Sequence, residues 1–496
     1  MPSPPVRRHV ASTVAVCAVG VAGSALVARA SYVVGALPRH HLDRTVATGP
    51  YRWVYLLGVA LMVLSWLALG RLVLDPSGEG GTRRLCWVSA ATGLPLLVAA
   101  PVTSQDVWTY LGQANVAAHG LDPYTQGPAA VPGPYPHAVA HEWLATGSPY
   151  GPLWLWLCRV VVRATAPHPW AGMFVLRGIT VVGMVALGLA LVRLARRTGA
   201  RPEPALWLAV AGPFPMIMLL GGLHNDAVML ALLVGGVAVT AGTDDLRRAL
   251  LIGATLVAAA AAIKVIALVA LPFLPLVWWR YAGPRRPAYP PLRRLVGVGV
   301  ATCVGGVAVL AAVGLVTGFG FGWASHVGDG TIGVRWLSVS QQIGNVAHLV
   351  APGRVADLPK DRYPLVHPVG LVFLALALVA LTLTARRRPP VRTLALAMLV
   401  IVLSSPAPRL WYLLWPLTFL VVDALTPLVV VVTAAASATL VLWFPASVRP
   451  QPPEWLLLVL VVALAGLVAA ISRPGPSGDR LRRLPRRPGR TAVPPR

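Results

Sequence analysis

Residues 10–37, 53–74, 173–194, 295–316, 365–384, 428–444 and 455–471 form long, nearly uninterrupted apolar runs. At about 1.5 Å of helix rise per residue, each is long enough to cross most or all of the roughly 30 Å hydrocarbon layer of a bilayer. Backbone polar groups in hydrocarbon must find partners within the protein, so runs of this kind fold as helices. The rest of the composition agrees, with 56% of the 496 residues hydrophobic and only 12% charged. That excludes a disordered chain and is too apolar for an ordinary soluble domain. Arg7 and Arg8 precede the first run as in a secretory signal, but the run is too long and another follows closely, so it reads as a retained helix.

The chain holds 42 Lys and Arg against 16 Asp and Glu, a net charge of +26. Spread over a soluble surface this would suggest a polyanion partner, but most of the cations lie in short clusters between apolar runs. Arg7/Arg8, Arg71/Arg83/Arg84, Arg193/Arg196/Arg197/Arg201, Arg247/Arg248, Arg280 to Arg294, Arg386/Arg387/Arg388/Arg392 and the tail from Arg473 alternate with them. Positive clusters stay cytoplasmic. Both termini are therefore expected in the cytoplasm, with long loops at 103–151 and 319–364 facing outward and no nucleic-acid partner. A membrane domain over 1–472 precedes a disordered basic tail, 473–496, within reach of anionic membrane lipids.

The same rule makes two segments unusual. Residues 152–166 are short for a span, and crossing there would put Arg196/Arg197 outside, so a re-entrant element is expected. Arg247/Arg248 and Arg280 to Arg294 both belong in the cytoplasm, so 249–279 must cross an even number of times, as a hairpin of short helices with Lys264 near its outer tip. Broken helices of this kind line cavities rather than face lipid. The fold class is thus an all-α polytopic membrane protein with about 12–14 spanning helices. No repeat of 20–50 residues is visible, which counts against repeat-built transporters. Cys17, Cys86, Cys158 and Cys303 are scattered and give neither a disulfide framework nor a zinc spacing.

The outward loops carry the candidate chemistry. Asp106 heads a helix after the third apolar segment, in Ser104-Gln105-Asp106-Val107-Trp108-Thr109-Tyr110. Ser104 or Asp106 could cap that helix; alternatively the carboxylate is a general base placed at a lipid-borne substrate's head group. Gly222-Leu223-His224-Asn225-Asp226 forms a polar knot between apolar runs. Asn225 and Asp226 read either as helix caps or as functional groups, since acids at that depth are costly. Lys264 and Lys360 are the only lysines; Lys264 could snorkel to the interface or meet a phosphate. Arg409, with Trp411 and Tyr412, reads either as part of an interfacial belt or as a phosphate clamp. His137, His141 and Glu142 lack a clear further ligand and read as loop residues rather than a metal site.

Ser104 to Tyr110, Gly120-Leu121-Asp122-Pro123-Tyr124, Ser148-Pro149-Tyr150-Gly151-Pro152-Leu153, Gly222 to Ala227, and Ala262-Ile263-Lys264-Val265 with Pro272-Phe273 follow one another along the chain. In this order they resemble the actinobacterial polyprenol-phosphomannose-dependent α-1,6-mannosyltransferases, the MptA/MptB group of the GT-C glycosyltransferase fold, and MptB more than MptA. The resemblance implies a GT-C-like bundle in the plasma membrane, with its active site on the extracytoplasmic side. It implies an inverting enzyme that moves mannose from polyprenyl-phosphate-mannose to a lipid-anchored α-1,6-mannan of lipomannan and lipoarabinomannan. Asp106 would then be the catalytic base, Lys264 and Arg409 would bind the donor phosphate, and Tyr110, Asp122, Tyr124, Tyr150, His224, Asn225 and Asp226 would contact substrate. GT-C enzymes often pair two acids in the first loop, whereas Ser104 and Gln105 precede a single one here. No cofactor is therefore fixed and no metal ligand is assigned; if a divalent cation is used, Asp122 or Glu142 would have to supply the second carboxylate. A GT-C enzyme for another sugar or acceptor, and a transporter or flippase for lipid-linked sugars, share many of these features.

Overall fold

The computed structural model describes residues 4–38, 49–74, 80–282, 291–326, 338–339, 366–384, 388–405, 408–423 and 425–443. Among them are helices and no strand. In chain order the helices are α1 (Pro4–Val34), α2 (Tyr51–Val73), α3 (Gly81–Gly93), α4 (Asp106–Ala118), α5 (Pro152–Thr165), α6 (Pro169–Thr198), α7 (Pro202–Ala209) and α8 (Asp226–Gly242). They continue with α9 (Leu246–Ala261), α10 (Leu274–Tyr281), α11 (Leu292–Thr317), α12 (Val366–Thr384), α13 (Pro390–Ser404), α14 (Leu414–Leu420) and α15 (Pro427–Trp443). The apolar runs from 10–37 through 428–444 are thus helical over most of their described residues. The run at 455–471, most of the expected loop at 319–364 and the tail at 473–496 lie outside the described residues.

The chain is an all-α polytopic membrane protein. Helices α1, α2, α6 and α11 are long and apolar enough to cross a membrane, and α7 with Pro213–Gly221 forms a fifth such unit bent by 44°. Helices α8, α13 and α15 are shorter, at 17, 15 and 17 residues. The described part therefore contains fewer full-length spans than the expected 12–14. Proline and glycine interrupt the apolar runs, as at Gly212-Pro213 and at Pro272 inside the 3₁₀ segment Val265–Phe273. Outward sides remain apolar, with Val182, Leu315 and Val316 among the most exposed side chains, as lipid contact requires.

Helix α1 packs on α2 through small residues. A Cβ on Gly23 would lie 2.7 Å from the Gly58 carbonyl oxygen, and one on Gly58 2.6 Å from that of Gly23, so the two backbones touch. Helices α2 and α7 are joined by a reciprocal pair: Trp66 Nε1 donates to the Trp207 carbonyl at 2.8 Å, and Trp207 Nε1 to that of Trp66 at 2.9 Å.

Contacts sort the connections into two ends. At one, Arg84 donates to the Leu72 carbonyl, Arg201 to that of Leu74, Thr82 to Glu203, Arg392 to Asp423 and Thr198 to the Val422 carbonyl. This end gathers the described arginine clusters. At the other end, the backbone entering α4 is tied down from several sides. Ala36 N–H donates to the Pro101 carbonyl, Val102 N–H to that of Gly221, Gln105 to that of Leu37 and Trp108 Nε1 to that of Ala36.

The expected break in 249–279 occurs at Lys264, between α9 and the segment Val265–Phe273. It rests on the start of α5: Gly151 N–H donates to the Ile263 carbonyl at 3.1 Å and Leu153 N–H to that of Ala262 at 2.9 Å. A Cβ on Gly151 would run into the Ala262 carbonyl oxygen. Gly151→Ala is expected to cost about 1–3 kcal/mol through overpacking, read as a lower Tm of the solubilised protein; an unchanged Tm would contradict this docking.

Candidate active site

Asp106 is the first residue of α4, and its backbone N–H donates to the Ser104 hydroxyl at 3.1 Å. Gln105, not Ser104 or Asp106, occupies the N-cap and makes no side-chain cap bond. The Asp106 carboxylate is therefore not spent on capping, while the positive end of the helix dipole favours its charge. It is partly exposed, at 18% of its side-chain area. The Tyr110 hydroxyl, one turn on, donates to Asp106 Oδ2 at 3.4 Å, and His224 Nε2 lies 3.8 Å from the same oxygen. Tyr110 also packs edge-on against Tyr150 and Trp154.

His224 is brought there by an irregular backbone. Met216–Gly221 winds as a π-helix, with Gly222 N–H donating to the Ile217 carbonyl at 2.8 Å. Leu223 then adopts φ +54, a left-handed conformation strained for a bulky residue. The turn leaves His224 fully buried, stacked on Trp411 at 3.7 Å between ring centroids, with Nδ1 2.5 Å from the Met218 carbonyl oxygen. Burial is the main influence on the imidazole and pushes its pKa below the ordinary value, against the pull of Asp106 and Asp226.

Asn225 and Asp226 do not cap α8 with their side chains. The Asn225 side chain makes no cap bond, and both its amide atoms are buried without a hydrogen-bond partner. Asp226, fully buried, accepts from Lys264 Nζ at 2.8 and 3.0 Å and from Trp415 Nε1 at 2.6 Å. The Lys264 ammonium lies over the rings of Tyr412 and Trp415 at 4.6 and 5.3 Å. Lys264 therefore does not snorkel: its charge is already matched inside the bundle. Arg409, the other cation at this site, is not matched in this way. Its guanidinium stands 5.9 Å from the Trp143 ring and 5.7 Å from that of Trp411, and no carboxylate among the described residues pairs with it.

Tyr124 and Asp122 serve the loop around this site. The Tyr124 hydroxyl donates to the Tyr150 carbonyl at 3.2 Å. Asp122 is exposed and turned onto its own segment, accepting from Tyr124 N–H at 2.9 Å and from the Thr125 hydroxyl at 3.2 Å. Among the described residues no group of three or more His, Cys, Asp or Glu could hold a metal ion, and the ionisable group facing Asp106 is a histidine rather than a second carboxylate. All four cysteines are free.

The structure thus unites Asp106, Tyr110, Tyr150, His224, Asp226, Lys264 and Arg409, and leaves Asp122 in a turn. Trp415 escaped the sequence reading. Its position one turn after Trp411, on an otherwise apolar helix, was the available signal, but an interfacial belt gives the same pattern.

Residues 17–280 match the family described as "Alpha-(1->6)-mannopyranosyltransferase, N-terminal domain", and residues 340–473 match "MptB C-terminal domain". Alpha-(1->6)-mannopyranosyltransferase A of Mycobacterium tuberculosis is 34% identical over 73% of this chain and 69% of its own length. The A protein of Corynebacterium glutamicum is 31% identical over 66% of this chain and 68% of its own. The B protein of that organism is 26% identical over 80% and 71%.

Proposed function

Because this chain belongs to the alpha-(1->6)-mannopyranosyltransferase family, we propose that it transfers mannose from a polyprenyl-phosphate carrier to the 6-hydroxyl of a lipid-anchored α-1,6-mannan. Mannosyltransferase activity comes with the family; the donor, the acceptor and the side of the membrane are our inference. The observation that carries it is the pairing of an uncommitted carboxylate, Asp106, with an unmatched cation, Arg409, at the same end of the bundle. Both border Tyr150, whose hydroxyl feels the charge of each. The described arginine clusters gather at the opposite end, which the positive-inside rule assigns to the cytoplasm, and this supports a site that faces outward; both termini are inferred to lie inside from the sequence pattern. The resemblance in the motifs supports the same reading, with the membrane domain at 1–472 arranged as a GT-C-like bundle.

In the mechanism, Asp106 takes the proton of the acceptor hydroxyl as its oxygen attacks the anomeric carbon from the face opposite the phosphate. The configuration inverts, and polyprenyl phosphate departs with the bonding electron pair. Arg409 opposes the charge that develops on the leaving phosphate, in surroundings where aromatic side chains displace water. Lys264 stands near but is neutralised by Asp226, so its direct contribution to phosphate binding is secondary to holding the site together. Tyr110 and Tyr150 offer edges and hydroxyls to the sugars.

Incubating the purified protein with radiolabelled polyprenyl-phosphomannose and a short α-1,6-mannoside tests this. The expected result is an acceptor extended by α-1,6-mannose. Donor hydrolysis alone, transfer to a different acceptor class, or movement of the lipid-linked sugar without transfer would overturn it. Arg409→Gln removes a charge-assisted contact worth about 1.5–3 kcal/mol. It is expected to raise the donor KM by roughly 10- to 100-fold with little change in acceptor KM; an unchanged donor KM would remove Arg409 from the phosphate.

A further inference from the structure

The orientation of His224 leaves a lone pair facing a carboxylate. A carbonyl oxygen has no proton to give, so the contact between Nδ1 and the Met218 carbonyl places the imidazole proton on Nδ1. In the neutral ring Nε2 is then bare. It is buried, has no hydrogen-bond partner and faces Asp106 Oδ2 at 3.8 Å. Two acceptors stand opposite each other, an arrangement that becomes a hydrogen bond only when one proton lies between them.

We propose that His224 is a proton-holding partner of Asp106: the proton leaving the acceptor hydroxyl passes to the Asp106 carboxyl and is shared with His224 Nε2. This rests on Asp106 being the base. The acceptor O–H bond breaks as its oxygen bonds to the anomeric carbon, and the bond from that carbon to the phosphate oxygen breaks with its electron pair retained by the leaving phosphate. The proton resides between Asp106 Oδ2 and His224 Nε2 until it is returned to water, so charge and atoms balance without a further reactant. His224 is fully buried, so it acts through Asp106 and does not touch substrate itself.

The surroundings fit this task. Trp411 stacked on the ring fixes its plane, and the Met218 carbonyl fixes its tautomer. The π-turn and the strained Leu223 aim it. The charged groups acting on it are Asp106 from α4, Asp226 from the start of α8 and Lys264 from the break after α9. Burial keeps the imidazole neutral at pH 7, with the lone pair free to receive. When pH falls through the lowered imidazole pKa, Nε2 takes a proton from solvent and ties up Asp106, so activity drops.

His224→Phe keeps a flat ring against Trp411 but has no nitrogen, and His224→Gln keeps a polar group of similar reach. Single-turnover transfer rates, donor KM and pH profiles of the purified variants provide the test. Both are expected to lower kcat by roughly 10²-fold with donor KM within about threefold, and to lose the acid limb expected of the wild type as pH falls through the lowered imidazole pKa. Retention of kcat within twofold by His224→Phe, or an unchanged acid limb in both variants, would overturn the proposal. Asp106→Asn, measured beside them, separates the two readings. If it is active, the assignment of the base itself fails; if it is inactive while His224→Phe is active, only the proton sharing fails.

Discussion

Asp106→Asn is expected to lower mannosyl transfer by about 10²- to 10⁴-fold while the protein still folds, because in the proposed mechanism it removes the base that takes the acceptor's proton and little else. Asparagine has nearly the shape of aspartate, and general-base contributions are typically of this size. Folding should survive because the carboxylate is not a cap, is partly exposed, and makes only a long hydrogen bond to Tyr110 and a still longer contact to His224. Transfer assays at matched protein levels, with donor binding followed separately, check the result. Activity within tenfold of wild type at saturating donor would sink the assignment of Asp106.

Lys264→Met is expected to destabilise the protein rather than merely weaken donor use, which is the consequence to expect if Lys264 simply met a phosphate. Asp226 is completely buried, and with the ammonium gone it keeps only the Trp415 N–H. Breaking a buried ion pair from one side strands a charge and costs about 3–5 kcal/mol, whereas removing both charges is often neutral. The double variant Lys264→Met with Asp226→Asn should therefore regain most of the Tm lost by Lys264→Met alone. If it is no more stable than the single variant, the pair is not what holds this region. In the folded double variant, a donor KM near wild type would place Lys264 among the supports of the site, and a large rise would return it to the phosphate.

The motifs around Asp106, His224 and Lys264 stood out because polar residues punctuated apolar surroundings, where ionisable groups are costly without a function or a partner. Their relations were hidden. Asp226 and Lys264 are 38 residues apart and Trp415 lies 189 residues from Asp226, so no local pattern could reveal that they neutralise and hold one another. Asp122, which the resemblance placed against substrate, accepts instead from its own segment in an Asx turn, a contact that only the folded loop reveals. Lys264 sits at a break in the helices, as charge parity required, but that parity gave no hint of its counter-ion.

The amino-acid order by itself determined that the chain is helical and embedded in a membrane, because hydrophobic length acts locally along the chain, and its arginine clusters give the orientation proposed for it. It also determined which polar clusters were worth attention. Tertiary structure decided which of those groups are free to act. A carboxylate already bonded to an ammonium and an indole is spent, one facing a bare imidazole nitrogen is available, and that difference arises only when distant helices pack and bring each charge to its partner or leave it without one.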